Sequence, residues 1–161
     1  MGIRKTLYTI NGVERLILSD PEEEMSNFLR RIGLTSVKVG CGVGQCGACT
    51  VLLDGEPVRS CTKKMKNVPE FSKIETVEGL GTATSLHPLQ LGFMIHNGAQ
   101  CGFCTPGLIL SAKELLDENP TPTEADVKEA LSGVICRCTG YVKPIASVLK
   151  AAAELRQTKP A

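Results

Sequence analysis

The sequence carries almost no net charge: 18 lysines and arginines against 17 aspartates and glutamates leave +1 over 161 residues. A nucleic-acid binder normally shows a basic stripe, so that class is excluded. No apolar run reaches membrane-spanning length. Residues 1–10 lack the apolar core and small-residue cleavage site of a signal peptide. Met1-Gly2 with Thr6 fits the myristoylation pattern only formally, within what reads as an ordinary first strand. The expectation is a cytoplasmic chain whose cysteines sit in a reducing compartment, where metal ligation is commoner than disulfides. The glycine-rich stretch at 37–49 has no Gly-Lys-Ser/Thr ending, which excludes a phosphate-binding loop. The length allows one ordinary domain or two small ones, and small domains usually need a staple such as a metal.

What is present is eight cysteines, arranged four and four with none left over. Cys41, Cys46 and Cys49 read C-x4-C-x2-C, and Cys61 follows after eleven intervening residues. The close cysteines match the plant-type [2Fe–2S] spacing, with a shorter gap to the fourth. Gly40, Gly42, Gly44 and Gly47 lie among them, and glycine lets a loop wrap closely with its amides turned inward at sulfur. Zinc is the main rival for this quartet, and a disulfide pair a distant third. The second quartet is Cys101 and Cys104 in Gln100-Cys101-Gly102-Phe103-Cys104, with Cys136 and Cys138 in Cys136-Arg137-Cys138-Thr139-Gly140-Tyr141. Positions i and i+2 of an extended segment share a face, so Cys136 and Cys138 point together and Arg137 away. Taken alone, this quartet also suits zinc, and its C-G-F-C half suits a redox dithiol, although a dithiol has no use for Cys136 and Cys138. Both halves fall at helix starts, where free N–H groups favour thiolate charge.

In chain order, 6–10 and 13–18 read as a hairpin across Asn11-Gly12. Asp20 as N-cap with Pro21 and Glu23 opens a helix, with Met25, Phe28, Leu29 and Ile32 on one face and Gly33 as its stop. The acidic run 22–24 is most simply favourable charge at that helix start. Residues 49–53 and 57–61 form a second hairpin across Asp54-Gly55, and 74–77 a last strand. From Ser85 the periodicity turns helical: 88–97 apolar on most sides, a helix capped by Thr105-Pro106, a capping box at Thr123 to Asp126, and a last helix from near Pro144. The tail from Gln157 is polar and reads as frayed. No internal repeat is visible. The fold class is α+β: a β-grasp ferredoxin-like domain over 1–78, a linker over 79–84, and a small four-helix bundle over 85–157.

Val39-Gly40-Cys41, Gly44-Gln45-Cys46-Gly47-Ala48-Cys49-Thr50, Gln100 to Cys104 with Thr105-Pro106-Gly107, and Cys136 to Tyr141 together resemble the iron–sulfur portion of the molybdenum hydroxylases, the xanthine dehydrogenase and aldehyde oxidoreductase family. The resemblance covers nearly the whole chain. Ser36 to Gly40, Lys64-Met65-Lys66 and His87-Pro88-Leu89-Gln90 are most similar to the bacterial flavin-free aldehyde oxidoreductases. The resemblance implies an outer [2Fe–2S] cluster on Cys41, Cys46, Cys49 and Cys61, and an inner one on Cys101, Cys104, Cys136 and Cys138. It implies that Gln100 and Cys138 touch the pterin of a molybdopterin cofactor, of the cytosine dinucleotide type, on a large molybdenum-binding subunit. It further implies hydroxylation of an aldehyde or N-heterocycle with oxygen from water. Electrons then pass through both clusters to FAD, on a further subunit, or to a flavodoxin- or ferredoxin-type carrier. The chain has no flavin or molybdenum segment and no substrate site of its own, so the expectation is a small subunit or a fragment of a longer protein. Two other classes stay in view, a free-standing two-cluster carrier and a zinc-stabilised interaction module.

Single residues divide between functional and plain readings. Arg137 either raises the inner potential or makes a surface ion pair. Lys63, Lys64, Lys66 and Lys73 either dock an acidic carrier or are ordinary solvated lysines, the latter slightly favoured. Gly42-Val43 replaces residues that are often polar in the family, which bears on the outer cluster's surroundings. His87 and His96 read as structural, and Tyr141 as packing beside the inner loop with a local hydrogen bond.

Overall fold

The two hairpins form as their turns require. Asn11 and Gly12 adopt φ of 51° and 75°, and Asp54 and Gly55 adopt 54° and 94°, the left-handed pair that suits the twist of a two-residue hairpin. In the computed structural model, which describes residues 2–158, they join β1 (Arg4–Ile10) to β2 (Val13–Ser19), and β3 (Thr50–Leu53) to β4 (Glu56–Arg59). A short β5 (Lys73–Glu75) completes one sheet in the order β2-β1-β5-β3-β4. It pairs parallel to β1 and antiparallel to β3, which is the β-grasp arrangement. Helix α1 (Met25–Arg31) crosses the sheet and buries Met25, Phe28 and Leu29 against Tyr8, Ile10, Val51 and Ile74. Each such side chain contributes about 1.5–3 kcal/mol on burial. Phe28 meets the Tyr8 ring edge-on, with centroids 6.2 Å apart.

Helix α1 begins four residues later than the Asp20-Pro21 cap predicts. Asp20 Oδ1 accepts the Glu22 N–H in a tight turn, and Glu24 is the N-cap. The segment is claimed from outside: Met25 N–H donates to Lys63 O, Met65 N–H to Glu23 O and Lys66 N–H to Pro21 O. Tertiary backbone pairing thus overrides a local capping pattern. The acidic run is not simply a solvated helix start either, because Glu22 receives both Lys64 and Lys66 at 2.7 Å and Glu23 receives Arg31 at 2.8 Å.

The second half holds α2 (Pro88–Ile95), α3 (Thr105–Glu118), α4 (Glu124–Ser132) and α5 (Val142–Thr158). Leu89, Phe93, Leu108, Ala112, Val127, Leu131, Val148 and Ala152 form their common core. The Thr123 capping box is present as read. Three expectations shift. α2 is buried on one side only, with Met94 and Ile95 exposed. α3 takes Cys104 as its N-cap and Thr105 as its first residue. α5 starts at Val142, two residues before Pro144. Strand β5 likewise ends at Glu75, and a short 3-10 turn occupies Val77–Gly79. Of the expected frayed tail, the helix includes Gln157, while 159–161, like Met1, lie outside the described residues.

The two halves share a contact made by α3, which packs on β3 and β4 as well as on the other helices. All four residues of β3 are buried: Val51 and Leu53 belong to the α1 core, while Leu52, 1% exposed, lies outside both cores on the side that α3 covers. Among the described residues no helix is long and apolar enough to cross a membrane. Leu52→Ala is expected to cost about 2–5 kcal/mol and to destabilise both halves in one transition. Denaturant unfolding followed at both domains checks this, and two separate midpoints would contradict it.

Candidate metal centres

The first quartet is presented by the loop between α1 and β3 and by the end of the second hairpin. Gly42, Gly44 and Gly47 take φ of 70°, 79° and 72°, so the loop can turn its amides inward. The N–H groups of Val43 and Cys46 both donate to Cys41 Sγ at 3.4 Å. They hold the exposed Cys41 thiol down at about 6. Cys61 is buried, and burial, then the neighbouring Cys49 thiol, pushes it up to about 11, against an amide from Gly44.

The second quartet comes from the turn before α3 and the turn before α5. Cys138 Sγ lies 3.6 Å from Cys101 Sγ, and that neighbour raises the Cys138 thiol. Burial, then the adjacent Cys136 thiol, pushes Cys104 up to about 12. Burial also works to raise Cys136, but the Thr139 hydroxyl, 3.0 Å from its sulfur, and the Thr139 and Cys138 amides outweigh it and leave the thiol low. Tyr141, at φ 66°, shapes this turn: its hydroxyl accepts the Cys136 N–H at 2.8 Å and donates to Val134 O at 3.0 Å.

Within each quartet the thiols act on one another: Cys49 and Cys41 on Cys61 in the first, Cys136 and Cys101 on Cys104 and Cys101 and Cys136 on Cys138 in the second, where Cys101 and Cys138 lie 3.6 Å apart. All eight are free thiols. Among the described residues no three His, Cys, Asp or Glu side chains close on one point as a single ion would need. Four thiols gathered in each quartet without closing on one point suit a binuclear centre, which spreads its ligands over two metals. Amides aimed at sulfur offset the charge such a centre would carry.

The quartets meet at a seam. Ile135 N–H donates to Cys46 O at 2.8 Å, so one hydrogen bond and one peptide link separate Cys46 from Cys136. The approach needs glycine: a Cβ at Gly47 would run into the Gly133 carbonyl, and one at Gly107 would stand 2.7 Å from Gly47 O. Phe103 lies beside Gly40, linking the two cysteine loops a second time.

Other candidates divide. Gln100 and Cys138 are both exposed at the open end of the second quartet. Beside it is an apolar cavity of about 360 Å³ lined by Met94, Gly102, Thr105 and Pro106 among others, and the buried Thr105 Oγ1 has no hydrogen-bond partner among the described residues. Arg137 is exposed with no ion pair among the described residues. Lys64 and Lys66 are engaged by Glu22, which they hold at about 2, so they are not a free docking patch. His87 has a role that the sequence pattern carried unrecognised. It is the N-cap of α2: its Nδ1 accepts the Leu89 N–H, while Gln90 accepts the His87 N–H. Pro88 and Gln90 at the first and third positions were the available signal. Burial lowers its pKa.

In the metal-free protein, the Cys41 thiolate is half-formed near pH 6 and mostly formed by pH 7, whereas those of Cys61 and Cys104 are not formed until far above neutrality. Brief alkylation at pH 7, read by peptide mass spectrometry, is expected to modify Cys41 well before Cys61 or Cys104.

The comparisons agree with this geometry. A model described as a 2Fe-2S iron-sulfur cluster binding domain matches residues 8–77, and a [2Fe-2S] binding domain model matches 76–149. The aldehyde oxidoreductase of Megalodesulfovibrio gigas is 50% identical over 94% of this chain, which spans only 17% of that protein's length. The nicotinate dehydrogenase small FeS subunit of Eubacterium barkeri is 46% identical, with 86% of this chain and 88% of the relative covered. The crystal structure of the aldehyde oxidoreductase from Desulfovibrio desulfuricans superposes on 98% of this chain with a TM-score of 0.94 and 49% identity, again over 18% of its own length.

Proposed function

This chain belongs to the iron–sulfur family of the molybdenum hydroxylases, and from that premise we propose that it is the electron-transfer part of such an enzyme, with Cys41, Cys46, Cys49 and Cys61 holding one [2Fe–2S] cluster and Cys101, Cys104, Cys136 and Cys138 the other. The observation that carries the assignment is that each quartet draws its thiols together, Cys101 and Cys138 to 3.6 Å, with backbone amides of the first loop turned onto Cys41 Sγ. When bound, such clusters supply one-electron carriage over a wide range of potentials.

The residues of the chain do the rest. The amides of Val43, Gly44 and Cys46 face the sulfurs of the first quartet, and Thr139 and Tyr141 hold the turn of the second. The Ile135 to Cys46 bond gives a short bonded connection between the quartets. The domains are taken as 1–78 and 85–157; the first core runs from Tyr8 to Ile74 and the second from Leu89 to Ala152, with Val77 and Leu80 already packed against the second. The linker at 79–84 leaves directly after Glu78, whose carboxylate takes the Ser36 amide at 2.8 Å and the Thr76 hydroxyl at 2.6 Å.

The second quartet is the end that faces a large molybdenum subunit. Cys101, Cys138 and Gln100 are exposed there, and nearby apolar side chains are left open, Phe103 at 45%, Ile135 at 59% and Val142 at 71%. Gln100 and Cys138 are the residues that touch its molybdopterin cofactor. The first quartet, with Cys41 at the surface, hands electrons to FAD on another subunit or to a flavodoxin- or ferredoxin-type carrier. Substrates are aldehydes or N-heterocycles, as in the names of the relatives.

Natively purified protein is expected to be red-brown and to contain about four iron atoms per chain, with molybdenum in a co-purifying large subunit. Cys61→Ser is expected to remove about half the iron and leave the signal of the second centre. Zinc in place of iron would overturn the proposal.

A further inference from the structure

One cation spans the seam between the quartets. Arg59 ends β4, two residues before Cys61. Its Nη1 donates to Thr50 Oγ1, and its Nη2 donates to Gly133 O at 2.6 Å. Thr50 is 1% exposed, and its hydroxyl in turn donates to Gly47 O at 2.6 Å. A continuous chain of bonds thus runs from Gly47, between Cys46 and Cys49, through Thr50 and Arg59 to Gly133, three residues before Cys136. The receiving end is shaped for the guanidinium. Gly133 is the C-cap of α4, where unpaired carbonyls carry partial negative charge. A Cβ on Gly133 would stand 2.5 Å from Nη2. A planar, always-charged fork holds acceptors on two elements at once in a fixed geometry, which the flexible point charge of lysine does not impose.

We infer that Arg59 is a positioning residue for electron transfer, setting the spacing of the two cysteine quartets and placing a positive charge between them. The inference rests on the iron–sulfur ligation proposed above. A reduced centre is more negative than an oxidised one, so a half-buried cation bonded into the seam between the two cysteine-bearing segments favours reduction of both. The charge-assisted bond to Gly133 is the stronger kind and joins domains 74 residues apart in sequence. Losing it loosens the seam beside the Ile135 to Cys46 bond and the glycine contacts. Neither the ligation of the clusters nor the burial of the two cores calls for a charge at this point.

The test uses the assembled, cluster-loaded protein with Arg59→Met and Arg59→Lys. The readouts are iron per chain, the midpoint potentials of both centres, and the spin–spin splitting between the two reduced centres at low temperature. Arg59→Met is expected to keep full iron, to shift both potentials negative and to alter the splitting. Arg59→Lys is expected to restore the potentials but not the splitting, because the charge returns without the two-acceptor fork. Full iron with wild-type potentials and splitting in Arg59→Met overturns the inference. If Arg59→Met does not load, Arg59→Lys decides: an altered splitting supports the assignment and an unaltered one overturns it. Wild-type protein without [2Fe–2S] signals overturns the ligation itself. Wild-type signals that ignore Arg59 overturn this inference alone.

Discussion

Two loops that must each turn their amides toward sulfur must also lie against one another, and the close approach of Cys46-Gly47 to Gly133 and Ile135 is the contact on which the rest of the molecule depends. It brings backbone to backbone at a distance that a Cβ on Gly47 would forbid, and it seals with the Ile135 N–H on Cys46 O. The β-grasp sheet presents the first loop at the end of a buried strand. The helical half presents the second from the C-terminal end of α4 and the turn before α5. Each half has a core of its own, and Leu52 is buried where α3 covers the sheet. What the Cys46-Gly47 approach adds is the separation of the two cysteine sets, which matters for moving an electron.

Helix α3 ties these demands together. Its N-terminus carries Cys104 as the cap, one of its faces closes the helical core, and it also lies on β3 and β4. Gly107, on its first turn, lets Gly47 approach. A shift of this helix would therefore move a thiol, a core and the inter-domain contact at once. The electrostatics follow the same division. The buried thiols, Cys61 and Cys104, resist ionisation in the absence of a metal, while the surface thiol Cys41 is stabilised as a thiolate by two amides. Metal binding must therefore draw protons from the buried thiols as it organises the site.

Much of this was legible in one dimension because its causes are local. Asn11-Gly12 and Asp54-Gly55 dictate their hairpins through backbone conformation, and Thr123 with Asp126 caps α4 through two reciprocal bonds. What failed to be legible depended on distant partners. The Asp20-Pro21 cap is a sound local signal, yet residues 21–25 are taken up by backbone bonds to 63–66, some forty positions away. Lys64 and Lys66, two of the four lysines that read as solvated or as a docking patch, share Glu22 for the same reason. Met94 and Ile95 read as core because hydropathy does not say which side of a helix meets a neighbour.

By itself, the sequence determined that eight cysteines fall into two quartets, which loops carry them, and which class of domain surrounds each. Those properties follow from residue type and spacing along a chain of fixed geometry. Only the tertiary structure decided that Cys138 comes to Cys101, that the quartets are joined through Cys46 and Ile135, and that Arg59 of one domain is bonded to Gly133 of the other. These are matters of distance between segments that spacing along the chain does not constrain, settled when α3 packs on the sheet and closes the seam.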